Sequence, residues 1–169
     1  MNLDFSSDSH PPGVLLAKTS VDRTTGHPEQ AVKPFFILDT TKSFEEACSD
    51  LKTAVASHDF GLLAVHDLAA TLRSKNINFR ENCRVFEVCN PQQAAKVLKT
   101  DMSLNMVLPC RISVYTEAGQ TRIGMMRPTD MLTDLSGFPK LMDIAHEVDS
   151  SMTAMILEAA SSASVTSTI

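Results

Sequence analysis

The sequence predicts an α+β domain: a two-layer sandwich with a mixed or antiparallel sheet of about five strands and helices on one sheet face. Three observations carry that expectation. Apolar runs of strand length alternate with capped helical stretches. Two strands in the second half are joined by a short loop containing glycine. A long amphipathic segment of helical period closes the pattern, giving the order β-α-β-α-β-α-β-β-α.

Each element has its own signal. Phe35-Phe36-Ile37-Leu38 is a short apolar run after Pro34 and reads as the first strand. Ser43-Phe44-Glu45-Glu46 spells a capping box, and Phe44, Ala47, Leu51, Ala54 and Val55 then recur on one helical face. Phe60 to Val65 is the second strand, with His66-Asp67 at its end. A short helix through Leu68 and Leu72 follows, with Asp67 as its N-cap and Ser74-Lys75-Asn76 as the turn that ends it.

Arg84 to Cys89 is the third strand. Asn90 then caps a helix that has Pro91 in its first position, with Ala94, Val97 and Leu98 as the core face. Arg111–Thr116 and Thr121–Met126 form a hairpin around Glu117-Ala118-Gly119-Gln120, where Gly119 supplies the positive φ of a tight loop. Pro128 ends the hairpin. The long helix begins near Pro139, with Leu141, Ile144, Ala145, Val148, Met152, Met155 and Ile156 at helical spacing.

The domain is expected over residues 34–159. Residues 1–33, rich in Ser, Thr, Pro, Asp and Gly and without periodicity, read as a disordered arm, and residues 160–169 as a disordered Ser/Thr-rich tail. In 169 residues with 43% hydrophobic composition there is room for one domain whose core needs no disulfide or metal staple. The net charge of −5 and the absence of a Lys/Arg cluster argue against a nucleic-acid partner. No segment approaches a membrane span, and no secretory signal is visible. Cys48, Cys83, Cys89 and Cys110 show neither C-x-x-C nor zinc-finger spacing, so reduced thiols in the cytoplasm are the expectation.

The sequence also resembles a known family. The pieces that carry the likeness are Ser43-Phe44-Glu45-Glu46-Ala47, Phe60-Gly61-Leu62-Leu63, Asp67-Leu68, Ala70-Thr71-Leu72 and Phe79-Arg80. More specific are Cys89-Asn90-Pro91 opening a helix and Leu108-Pro109-Cys110 opening the hairpin. Pro128, Met131-Leu132 and Ile144-Ala145-His146-Glu147-Val148 complete the set. The chain resembles the domain of unknown function family 302 over nearly all of Phe35 to Ala159. The resemblance implies a sandwich of TATA-box-binding-protein-like shape, commonly a dimer, and no assigned catalytic residues. It carries no licence for DNA binding, because function belongs to sites rather than folds. The sequence departs from the family pattern at Asp59 and Glu87, where Gly is frequent, at His66, where an aliphatic residue is usual, and at Arg127, where Asp is usual.

The candidate ligand or thiol site comprises Cys89, Asn90, Cys110, His66 and Arg80. Cys89 ends a strand beside a helix N-terminus, a setting that can lower a thiol pKa. The competing reading is a buried, inert thiol. Paired with Cys110, it would suit sulfur, redox or soft-metal chemistry. His66-Asp67 has the spelling of a dyad, but neighbours on a strand point to opposite faces. Arg80, Arg111 and Arg127 are candidate oxyanion forks or a solvated charged rim. Met102, Met106, Met125, Met126 and Met131 could line an adaptable apolar pocket or simply fill the core.

No convergent set of acid, base and nucleophile emerges. No catalytic residues, metal ligands or cofactor are assigned. The expectation is a non-enzymatic, self-associating domain that binds a small molecule or ion, with a homodimer as the assembly. The alternatives are a thiol-based function through Cys89 and Cys110, and a structural interaction module.

Overall fold

The computed structural model describes residues 34–133 and 139–161. The N-terminal arm and nearly all of the Ser/Thr-rich tail therefore lie outside the described residues. Five strands, β1 (Phe35–Thr40), β2 (Gly61–Asp67), β3 (Cys83–Cys89), β4 (Cys110–Glu117) and β5 (Gln120–Met126), form one sheet in the order β1-β5-β4-β3-β2. Every pairing is antiparallel, so of the two sheet types expected the antiparallel one is realised.

Two helices, α1 (Phe44–Ser57) and α5 (Pro139–Ala160), cover one face. Between the strands lie α2 (Leu68–Ser74), α3 (Pro91–Thr100) and a short 3-10 helix (Met102–Val107). A six-residue helix, α4 (Pro128–Thr133), follows β5, where the sequence signalled only an end to the hairpin. The Leu108–Pro109 peptide is cis.

Strand alternation sorts the sheet residues. Phe86, Val88, Ile112, Val114, Ile123 and Met125 point to the covered face and are buried there against Leu51, Val55, Met152, Met155 and Ile156 of α1 and α5. A smaller cluster of Val97, Leu104, Leu141 and Ala145 joins α3, the 3-10 helix and α5. The apolar positions read on α1 are all buried, and Cys48 is buried with them.

Local chemistry fixes the element ends. Ser43 Oγ accepts from Glu46 N at 3.3 Å while Ser43 N donates to Glu46 Oε2 at 2.9 Å, closing the capping box of α1. At the far end of α5, Lys42 Nζ donates to the Ala159 carbonyl at 2.9 Å and Thr40 Oγ1 to the Ala160 carbonyl at 2.8 Å. These bonds satisfy orphan carbonyls and set a cation at the negative helix end. In the hairpin both Ala118 (φ 51°) and Gly119 (φ 82°) are left-handed, as a two-residue I′ loop requires, so Gly119 does not act alone.

Arg84 joins three elements on the covered side. It bonds Glu45 at 2.6 Å and Asp67 at 3.0 Å, and its guanidinium lies 4.9 Å from the centre of the Phe44 ring. Arg127, read as a rim residue, is also structural. It pairs with Asp149 of α5 at 2.7 Å, stacks on Phe36 at 4.9 Å, and extends the β1–β5 ladder through its amide to the Pro34 carbonyl.

Candidate functional site

Among the described residues the second sheet face has no helix layer comparable to α1 and α5, and its alternation residues are in part exposed. Phe35 is 49% exposed, Ile37 45% and Met126 42%. At one end of the sheet β1 begins, β5 ends, β4 begins and β3 ends. Here lies a cavity of about 530 Å³. Its sheet wall includes Phe35, Ile37, Val85, Ser113, Tyr115, Gly124 and Met126 on the open face, and at the strand ends it also meets Val88, Cys110 and Met125 from the covered face. Beyond the strand ends it meets Asn90, Gln93, Ala94 and Val97 of α3, the segment Met106–Pro109, Met131 of α4, and Ile144 and Val148 of α5. The size and the mostly apolar wall are those of a small-molecule site.

Gly124 shapes the floor. A Cβ built there would stand 2.9 Å from Ile37 Cγ1 and 2.9 Å from the Phe36 carbonyl oxygen, so only glycine lets Ile37 lie across β5. Polar groups are sparse in the wall. Gln93 Nε2 donates to Glu147 Oε2 at 2.5 Å, while Gln93 Oε1 is buried without a hydrogen-bond partner. Among the described residues of the lining, Arg111 is the one charged side chain.

Of the residues singled out from sequence, Cys89, Asn90 and Cys110 meet at this cavity. Cys110 stands opposite Val88 on the covered side of the sheet and packs against the main core. Cys89, one residue further along β3, alternates to the other side. Burial pushes the Cys110 thiol up to about 11, with the Cys89 sulfur adding to it, and burial raises Cys89 as well. The lowering by a helix end is not realised at Cys89. Asn90 Oδ1 already accepts from Gln92 N at 3.0 Å and Gln93 N at 3.1 Å, so the α3 amides are spent on the cap. Asn90 Nδ2 reaches the Asp59 carbonyl at 3.4 Å, which makes Asn90 a structural residue of the site. Cys48 and Cys83 are raised by burial too, and all four thiols are free.

His66 and Arg80 are not brought to the cavity. His66, exposed on the edge strand β2, has its Nε2 3.2 Å from Glu87 Oε1 across on β3. Asp67 turns the other way, caps α2 by accepting from Ala70 N at 2.7 Å, and bonds Arg84. The sequence spelled a His66–Asp67 dyad; the partner of His66 is Glu87, because a strand sends successive side chains to opposite faces. Arg80 lies exposed in the loop before β3. Among the described residues no group of three His, Cys, Asp or Glu could hold a metal ion, and no helix is long and apolar enough to cross a membrane.

Met106, Met125, Met126 and Met131 line the cavity, whereas Met102 stands outside it, 67% exposed. The sequence reading did not single out Phe35, Ile37, Val85 and Gln93. The signal for the first three was present as strand alternation, since every second residue of β1 and β3 shares the open face.

Three comparisons bear on this arrangement. The family described as domain of unknown function DUF302 matches residues 36–159. No curated protein matches the chain. An uncharacterized conserved DUF302 protein from Bacillus stearothermophilus, known from a crystal structure, is similar at 30% identity with a TM-score of 0.71, over 74% of this chain and 97% of that one. The family match runs from the second residue of β1 nearly to the end of α5, and the chain belongs to the DUF302 family.

Proposed function

We propose that this domain is a non-enzymatic binding protein that holds a small, mainly apolar molecule in the cavity at the strand ends. The observation that carries the reading is the cavity itself, about 530 Å³ and walled by aromatic, aliphatic and Met side chains. The raised thiols speak against an activated cysteine nucleophile, because the thiolate is the reactive form. The soft-metal alternative lacks a convergent ligand set among the described residues.

The test is displacement of the neutral dye Nile red, followed by native mass spectrometry of protein purified without detergent. The expected outcome is saturable dye binding that Val85→Arg abolishes while the circular-dichroism spectrum is retained. Dye binding unchanged in Val85→Arg would refute the reading.

A second reading is favoured by the exposed Phe35, Ile37 and Met126 on one sheet face. Contiguous apolar exposure of this kind marks association surfaces, and a homodimer through this face would roof the same cavity. Analytical ultracentrifugation of wild type against Ile37→Glu tests it, with a monomeric wild type as the refuting result.

A further inference from the structure

The cavity has one feature that an apolar ligand leaves unused. Arg111 follows Cys110 on β4, faces the open side of the sheet, and is the one charged side chain among the described lining residues. Among the described residues its guanidinium has no hydrogen-bond or ion-pair partner. Arg80 is likewise without a partner among the described residues, but it lies in the loop before β3 and away from the cavity. Arg84, Arg122 and Arg127 hold carboxylates, and Arg73 donates to the Phe79 and Glu81 carbonyls.

The carboxylate in register with Arg111 is Glu87 of β3. It projects on the same sheet face, with Oε1 3.2 Å from His66 Nε2 on the far side from β4. His66 thus occupies the nearest competitor for Arg111. Ser113, two residues along on the same strand and face, has a hydroxyl without a partner among the described residues. A rigid five-donor fork and a free hydroxyl stand together at the edge of an apolar cavity. That combination recognises an oxyanion on an apolar body.

Resting on the reading that the cavity holds an apolar ligand, we infer that the ligand is a single-headed acidic amphiphile, a carboxylic acid whose head is held by Arg111 and whose aliphatic or aromatic body fills the apolar part. A single negative charge fits better than two. Among the described residues Arg111 is the one cation of the lining, and Glu87, beside it on the same face, repels a second charge. This selects a carboxylate over a phosphate monoester.

The experiment is Nile red displacement by decanoate, decanol, decylamine and decyl phosphate at pH 7.5 and low salt, with wild type, Arg111→Met and Arg111→Gln. These share a chain and differ in the head. The expected result is decanoate about tenfold tighter than decanol, which is the effect of about 1.4 kcal/mol of charge-assisted hydrogen bonding. Decylamine is the weakest of the four. In both variants the decanoate-to-decanol ratio falls to near one. A ratio near one in wild type, or a ratio that survives in both variants, overturns the assignment of Arg111 while leaving the apolar cavity standing. Decyl phosphate tighter than decanoate overturns the choice of a carboxylate. Failure of Nile red and decanol alike removes the cavity reading itself, and this inference with it.

Discussion

Replacing Gly124 with alanine adds one methyl group in the middle of β5, between β1 and β4. In most strand interiors such a change stabilises, because glycine loses more backbone freedom on folding, an effect of about 0.5–1 kcal/mol. Here the added Cβ would meet Ile37 Cγ1 at 2.9 Å and the Phe36 carbonyl oxygen at 2.9 Å. The first contact can be relieved by turning the Ile37 side chain. The second involves the backbone of the paired strand and cannot move without lengthening the β1–β5 ladder. Overpacking of this kind costs about 1–3 kcal/mol. The balance is a net loss of about 1–2 kcal/mol.

Equilibrium urea unfolding followed by far-ultraviolet circular dichroism measures this, since the chain has no Trp and one Tyr to serve as a fluorescent reporter. The midpoint should fall with an unchanged slope. Ile37→Ala in the same background should recover part of the loss, by roughly 0.5 kcal/mol or more relative to additivity, because the two side chains share the contact. The backbone part should persist. A Gly124→Ala protein as stable as wild type, or more so, would refute the reasoning about how the cavity floor is built.

Two further outcomes follow from the described geometry. The Ala70 amide and Arg84 hold the Asp67 carboxyl below its usual range, so its stabilisation is present in full above the unfolded carboxyl pKa of about 3.9 and is lost as pH falls through the lower folded value. Asp67→Ala should therefore cost about 1–2 kcal/mol at pH 7, and the gap to wild type should narrow below about pH 4 in acid-unfolding profiles; a gap that is constant with pH would contradict the role of the charge. With burial raising all four thiols, Ellman's reagent at pH 7.5 should label none of them rapidly, and Cys48 and Cys110 should be the slowest; a fast phase assigned to Cys89 would restore the thiol-based alternative.

Element identity was legible where local chemistry decides it. Ser43 with Glu46, Asn90 with Pro91, and the Ala118-Gly119 loop each act through neighbours in sequence, and each is where the pattern put it. The bounds of β2 and β3 differ by a residue or two from the apolar runs, because His66 and Asp67 at one end and Cys83 at the other are in the ladder without being part of those runs. The bulge at Leu63 and the helix α4 had no distinct local signal.

The site was less legible than the fold for a related reason. Whether Cys89 and Cys110 meet was left open by their strand-end positions, because it depends on strand direction; both line the cavity. Which face each thiol takes depends on the antiparallel register of β3 and β4, a long-range pairing that spelling does not encode. Arg111 was visible as one arginine among several. What sets it apart is its place in the cavity lining, whereas Arg84, Arg122 and Arg127 have partners brought from elsewhere in the chain and Arg80 lies in a loop away from the cavity.

The strand order carries a further consequence for synthesis. Of the described strands, the first to leave the ribosome pairs with the last: Phe35 sits opposite Met126 and Thr40 opposite Thr121. β1 therefore waits, apolar and unpaired, until the final hairpin has been made, and the covered face waits longer still for α5. Chains grow at about 5–20 residues per second, so this exposure lasts for seconds. The β2-β3-β4 pairings can form earlier, and the sheet is completed when β5 adds to β4 and takes up β1, with the two earliest described strands as its outer edges.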